Sequence, residues 1–118
     1  MADAGLFIGW GEVVRGREDR ALEVFNETIE LYGQMQSDGR IESFEVALLN
    51  PHGGDLLGFT LLRGTEAQID AVPRDEEFER LMTRASLIIE NLGIIPAAIG
   101  ATLARGMTIY QEEIAVVA

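Results

Sequence analysis

The stretch from Ile41 to Gly64, IESFEVALLNPHGGDLLGFTLLRG, reads as two β-strands joined by a turn. Asn50-Pro51-His52-Gly53-Gly54-Asp55 is dense in turn formers and marks the loop between them. With Leu49 opposite Leu56, Leu48 faces Leu57, Val46 faces Phe59 and Phe44 faces Leu61. Side chains alternate along a strand, so these six large apolar residues share one side. Ser43, Glu45 and Ala47 then lie opposite Leu62, Thr60 and Gly58 on the other. A slip of one residue would set Phe44, Val46 and Leu48 against Gly58 and Thr60, and the clean segregation favours the first register. One face is expected to be core and the other, small and partly polar, the wall of a pocket.

The chain has 118 residues, enough for one domain with its own core, and 47% hydrophobic residues fit an ordinary globular protein. Its net charge of −11 repels phosphate backbones and argues against nucleic acid as a partner. The absence of cysteine rules out disulfides, a thiolate nucleophile and thiolate-ligated metal. The opening MADAGLF lacks the pattern of a secretion signal, and no apolar run approaches the ~20 residues that span a bilayer. The expectation is a cytoplasmic protein without membrane contact.

Leu6 to Val14 is a first strand, with Gly9 and Gly11 leaving room beside Trp10. The third glycine of a dinucleotide fingerprint would fall at Val14, so that motif fails. A helix from about Arg17 to Met35 places Leu22, Phe25, Ile29, Tyr32 and Met35 on one face. Thr65 with Gln68 fits a capping box for a short helix that stops near Val72-Pro73. A second main helix runs from about Asp75 to Asn91, its stripe Phe78, Leu81, Met82, Ala85, Ile88, Ile89 and Leu92. The acids Asp75, Glu76 and Glu77 complement the helix dipole in its first turn. Ile94 to Ala104 reads as a last strand. Residues 105–118 form an extension, either an added strand or a segment that crosses to a partner.

Strand, helix, strand, strand, helix, strand is the ferredoxin-like βαββαβ order, an α+β fold with a four-stranded antiparallel sheet and both main helices on one face. The uncovered face remains apolar enough to call for a second copy. This order, the Gly39-to-Glu45 connection, the Gly53-Gly54-Asp55 turn and the Asp75-Glu76-Glu77-Phe78 helix start resemble the dimeric α/β-barrel superfamily over roughly residues 5 to 104. That superfamily includes antibiotic-biosynthesis-type monooxygenases, haem-degrading enzymes, muconolactone isomerase-like and stress-responsive proteins. The resemblance implies a homodimer in which two sheets close a barrel, and it does not fix a function.

Candidate chemistry centres on Glu45. In the chosen register it projects mid-strand into the cavity, where partial burial would suit it to move a proton. The alternative is that it pairs with an arginine or sits at a wet edge. Trp10, Gly58, Thr60 and Leu62 are the other expected lining residues, with Trp10 able either to stack on a flat ligand or to pack under a helix. Arg63 shares the parity of Leu61 and is expected on the helix side. Tyr110 could donate into the cavity if the C-terminal segment folds over it. His52, the one histidine, lies in the turn and lacks the partners of a metal site. Two readings follow, neither needing a cofactor. One is a dimer whose sheet-face cavity takes a small, partly apolar molecule. The other is a cofactor-free monooxygenase- or isomerase-like enzyme, acting on an aromatic or polyketide-like substrate through Glu45.

Overall fold

A computed structural model describes residues 2–118. Its elements are β1 (Ala4–Trp10), α1 (Glu18–Ser37), β2 (Ser43–Leu48), β3 (Gly58–Gly64), α2 (Glu66–Ala71), a 3-10 turn (Val72–Arg74), α3 (Glu76–Ser86), β4 (Gly93–Ala98) and α4 (Gly100–Val117). The strands form one antiparallel sheet in the order β2-β3-β1-β4. This is the ferredoxin-like arrangement, with α1 and α3 packed on one face.

Local signals place the helices. The Thr65 hydroxyl accepts from Gln68 N–H at 3.1 Å and the Gln68 side chain accepts from Thr65 N–H at 2.8 Å, the expected reciprocal cap. Asp75 caps α3 by accepting from Phe78 N–H at 2.9 Å. α1 opens on Glu18 and Asp19, favourable charges for that end of the dipole. Its buried face is rotated from the expected stripe. Ala21, Val24, Thr28, Leu31, Tyr32 and Met35 are buried, whereas Leu22 is exposed. α3 buries Phe78, Leu81, Met82 and Ala85 as its spacing predicts, and Ile88 just beyond it is also buried.

The hairpin register differs by one residue from the expected one. Phe44 pairs with Leu62, Val46 with Thr60 and Leu48 with Gly58, while Glu45 lies opposite Leu61 and Ala47 opposite Phe59. The cause is the third strand. β1 sets Leu6 beside Leu62, Ile8 beside Thr60 and Trp10 beside Gly58. Leu6, Ile8, Thr60 and Leu62 are all buried beneath the helices, and Phe44 meets Tyr32 edge to face at 5.8 Å. Phe59 and Leu61 go to the open face, where Phe59 stacks on Phe7 at 5.2 Å. Each large residue has a small neighbour. A Cβ on Gly9 would stand 2.7 Å from Phe7, and one on Gly58 would stand 2.7 Å from the Trp10 indole and 2.9 Å from the Ala47 carbonyl. Large lies beside small on both faces, rather than large segregating to one.

Three other boundaries change, the first being that α3 ends at Ser86 rather than near Asn91. β1 ends at Trp10, and the chain then crosses to the segment after α3, with Gly11 N–H donating to Glu90 O at 2.8 Å. β4 ends at Ala98, and residues expected to continue it start α4 instead. Gly100 takes a φ of 53°, a left-handed turn that glycine adopts freely. The Thr102 hydroxyl then donates to Asp3 O at 2.7 Å and accepts from Ile99 N–H at 3.1 Å. That contact with the start of β1 anchors the first turn of a helix.

The register is testable by truncation. Leu62 is fully buried and Leu48, on the same side of the sheet, is 72% exposed. Leu62→Ala is expected to cost about 2–5 kcal/mol. Leu48→Ala should stay within about 0.5 kcal/mol of the parent. Urea denaturation of both variants reads the difference.

Candidate functional site

Small residues on both layers leave a space between the helices and the sheet. Ala21 and Thr28 on α1, Ala85 on α3 and Thr60 on β3 line a cavity of about 330 Å³, open on one side. That is within the range of small-molecule sites, roughly 300–1,000 Å³. Trp10 and Phe25 form an aromatic wall, edge to face at 5.9 Å. Leu22 and Leu48 stand at the exposed margin, and Glu18 is the sole charged lining residue. Its carboxylate accepts from Gly16 N–H at 3.0 Å.

Three hydroxyls reach this otherwise apolar space. Thr28 donates to Phe25 O at 2.7 Å and is satisfied within its own helix. Thr60 is 2% exposed, and among the described residues no protein group hydrogen-bonds its side chain. Among the described residues Tyr32 also has no protein hydrogen-bond partner for its hydroxyl; its ring is wedged between Phe44 and Phe78. No sealed side-chain polar atom lacks a partner, so both hydroxyls open on the cavity. Burial raises the pKa of Tyr32 above the usual tyrosine value and keeps it a neutral donor.

The residues expected to share one pocket are divided between the two sides of the sheet. Trp10 and Thr60 line the helix-side cavity. Gly58 supports the Trp10 indole from beneath, and Leu62 is core. Glu45 stands alone on the open face. Its carboxylate accepts from Arg63 at 2.7 Å and its side chain is 54% exposed. Arg63 is therefore on the open face too, not the helix side. A half-exposed pair of this kind contributes at most about 1 kcal/mol.

His52 is occupied within its loop, Nδ1 accepting from Gly54 N–H at 3.2 Å and Nε2 lying 2.7 Å from Leu56 O. Tyr110 is exposed on α4, away from the cavity lining. Sequence reasoning placed Phe25 and Tyr32 only as core and passed over Thr28 and the free Tyr32 hydroxyl. The available signal was a threonine, Thr28, among Ala21, Val24 and Leu31 on the helix-side stripe.

No family model matches the chain, and no curated protein matches it in sequence. Among solved structures, it is similar to a dimeric protein of unknown function and ferredoxin-like fold from Bacteroides fragilis. The TM-score is 0.59 at 12% identity, over 81% of this chain and 96% of that one. At that identity the likeness carries the fold, and the chain is an α+β protein with a ferredoxin-like sheet.

Proposed function

We propose that this chain is a homodimeric binding protein of the dimeric α/β-barrel type, and that each protomer takes a small, neutral, ring-bearing molecule in the cavity beneath its helices. The observation that carries the reading is the Thr60 hydroxyl, which has no protein partner among the described residues and opens on an apolar space walled by Trp10. A ligand hydroxyl or carbonyl that bonds it there gains about 0.5–1.5 kcal/mol. The acidic surface and Glu18 at the rim disfavour anions.

The dimer is supported by the open sheet face. Phe7, Phe59, Leu61 and Ile95 lie there with no helix of the same chain over them, and Ile95 is 53% exposed. The similar Bacteroides fragilis protein is dimeric, which supports self-association. Sheet-to-sheet contact would enclose the Phe7–Phe59 stack, with the Glu45–Arg63 pair towards the β2 edge. Proton transfer by Glu45 gains no support from the geometry, because its carboxylate is engaged by Arg63 on the side opposite the cavity.

Three outcomes are expected. Trp10 is the sole tryptophan, so its indole N–H gives a single NMR signal. Titration with 2-naphthol should shift that signal saturably, and Thr60→Val should weaken binding by about two- to tenfold, the worth of one hydrogen bond. An unmoved indole signal, or equal affinity in the variant, counts against the site.

The Tyr32 hydroxyl gives an alkaline test. The chain has neither lysine nor cysteine, so tyrosines are the side chains that titrate near pH 10. Tyr32 holds its proton more tightly folded than unfolded. Stability is therefore intact below about pH 10 and falls above it by up to about 1.4 kcal/mol per pH unit. Denaturation across that range should show the decline, and Tyr32→Phe should flatten it.

For the dimer, light scattering should give about twice the 12.9 kDa protomer mass. Phe59→Asp should raise the dissociation constant of the dimer at least tenfold with unchanged circular dichroism. A parent that is already monomeric removes the sheet-to-sheet contact.

A further inference from the structure

α4 runs over Gly100–Val117 and has no buried residue. Its anchor is the first turn, where Thr102 meets Asp3 O. Beyond that it leaves the body of the protein. The radius of gyration is 16.2 Å, against about 13–14 Å for a compact chain of this length. Such a helix is poorly suited to standing alone in water. Isolated helices of this length are marginal even with good helix formers, and this one carries Gly106 and the β-branched residues Thr108, Ile109, Ile114, Val116 and Val117.

The apolar residues are ordered on the helix. Leu103, Met107, Tyr110, Ile114 and Val117 follow steps of four, three, four and three. That is the spacing of a coiled-coil seam, which keeps one stripe facing a partner helix along its length. All five are exposed, from 48% at Leu103 to 82% at Val117. Arg105 and Glu112 fall on the opposite side of the helix, together with Ile109 and Val116, and Glu113 flanks the seam. Beside the seam, Ala104 and Gly106 are small enough to let a second helix approach closely.

We infer that α4 pairs with the α4 of a second copy of this chain along the Leu103–Met107–Tyr110–Ile114–Val117 seam. The seam is self-complementary, as a two-fold contact requires, because every position offers an apolar side chain to its mate. The five seam positions themselves carry no charge, and Glu113 is the one acid that flanks them. Membrane insertion does not compete, since no helix is long and apolar enough to cross a bilayer. An anionic lipid surface would also repel the chain. This contact uses a different surface from the open sheet face but shares the premise of self-association.

Tyr110 is the middle residue of the seam and meets its own counterpart whether the helices run parallel or antiparallel. The chain has no cysteine, so a single introduced thiol reports without background. Under mild oxidation the full-length Tyr110→Cys variant should form a disulfide-linked dimer in high yield, because paired helices bring those Cα atoms within the ~7 Å a disulfide spans. Glu112→Cys, on the far side of the helix, should link at least tenfold more slowly. Equal rates for the two variants would mean random collision and overturn the pairing. A dimer by light scattering that fails to link through residue 110 also overturns it, while leaving the sheet-face dimer standing. A parent that is monomeric by light scattering and unlinked in both variants overturns both contacts.

Discussion

The close approach of the Trp10 indole to the backbone of Gly58 holds the molecule's two sides apart. The pair sits where β1 and β3 leave the sheet, and the ring lies where any Cβ on residue 58 would be. It fixes Trp10 to the helix side and, by alternation, Ile8, Thr60, Leu6 and Leu62 with it. A slip of one residue would carry Thr60 to the open face and bring Phe59 and Leu61 beneath the helices. The cavity and the dimer surface would then exchange their walls.

With that register, the cavity follows from residue size. A core packed to ordinary density has few voids larger than a water molecule. Here Thr60 lies at the centre of the sheet beneath Thr28, with Ala21 and Ala85 on the helices above. None of these fills the gap that Leu or Ile would close. The rest of the interior, Leu6, Met35, Ile41, Leu62 and Phe78, is tightly enclosed. The space is thus confined to the end of the sheet where β1, β2 and β3 converge near the first half of α1.

Much of this architecture was legible in the sequence. The capping pairs Thr65–Gln68 and Asp75–Phe78 are local, and local chemistry survives folding. The order of elements and the α3 stripe were legible for the same reason. The register was not, because two strands read in isolation favour a face of six large residues, and the third strand overrules them. Its glycines, Gly5 and Gly9, make room on the open face for Leu61 and Phe7. α4 was hidden for a related reason. Ile94 to Ala104 is uniformly small and apolar, and its change from strand to helix rests on a hydrogen bond to Asp3, some hundred residues away. Of the cavity lining, Thr60 was expected on the opposite side of the sheet, a placement inherited from the register, and Trp10 was left open between stacking on a ligand and packing under a helix.

The presence of a threonine at position 60 bears on whether the cavity is a packing fault or a site. Valine has nearly the shape of threonine and the stronger preference for a buried strand. In its place the hydroxyl presents to the cavity an oxygen with no protein partner among the described residues. Tyr32 repeats the choice, since phenylalanine would pack equally well between Phe44 and Phe78. Two hydroxyls without protein partners on one apolar cavity are a local departure from the apolar pattern of a core, and such departures concentrate where a protein meets a ligand. A void left by poor packing would have no reason to collect both.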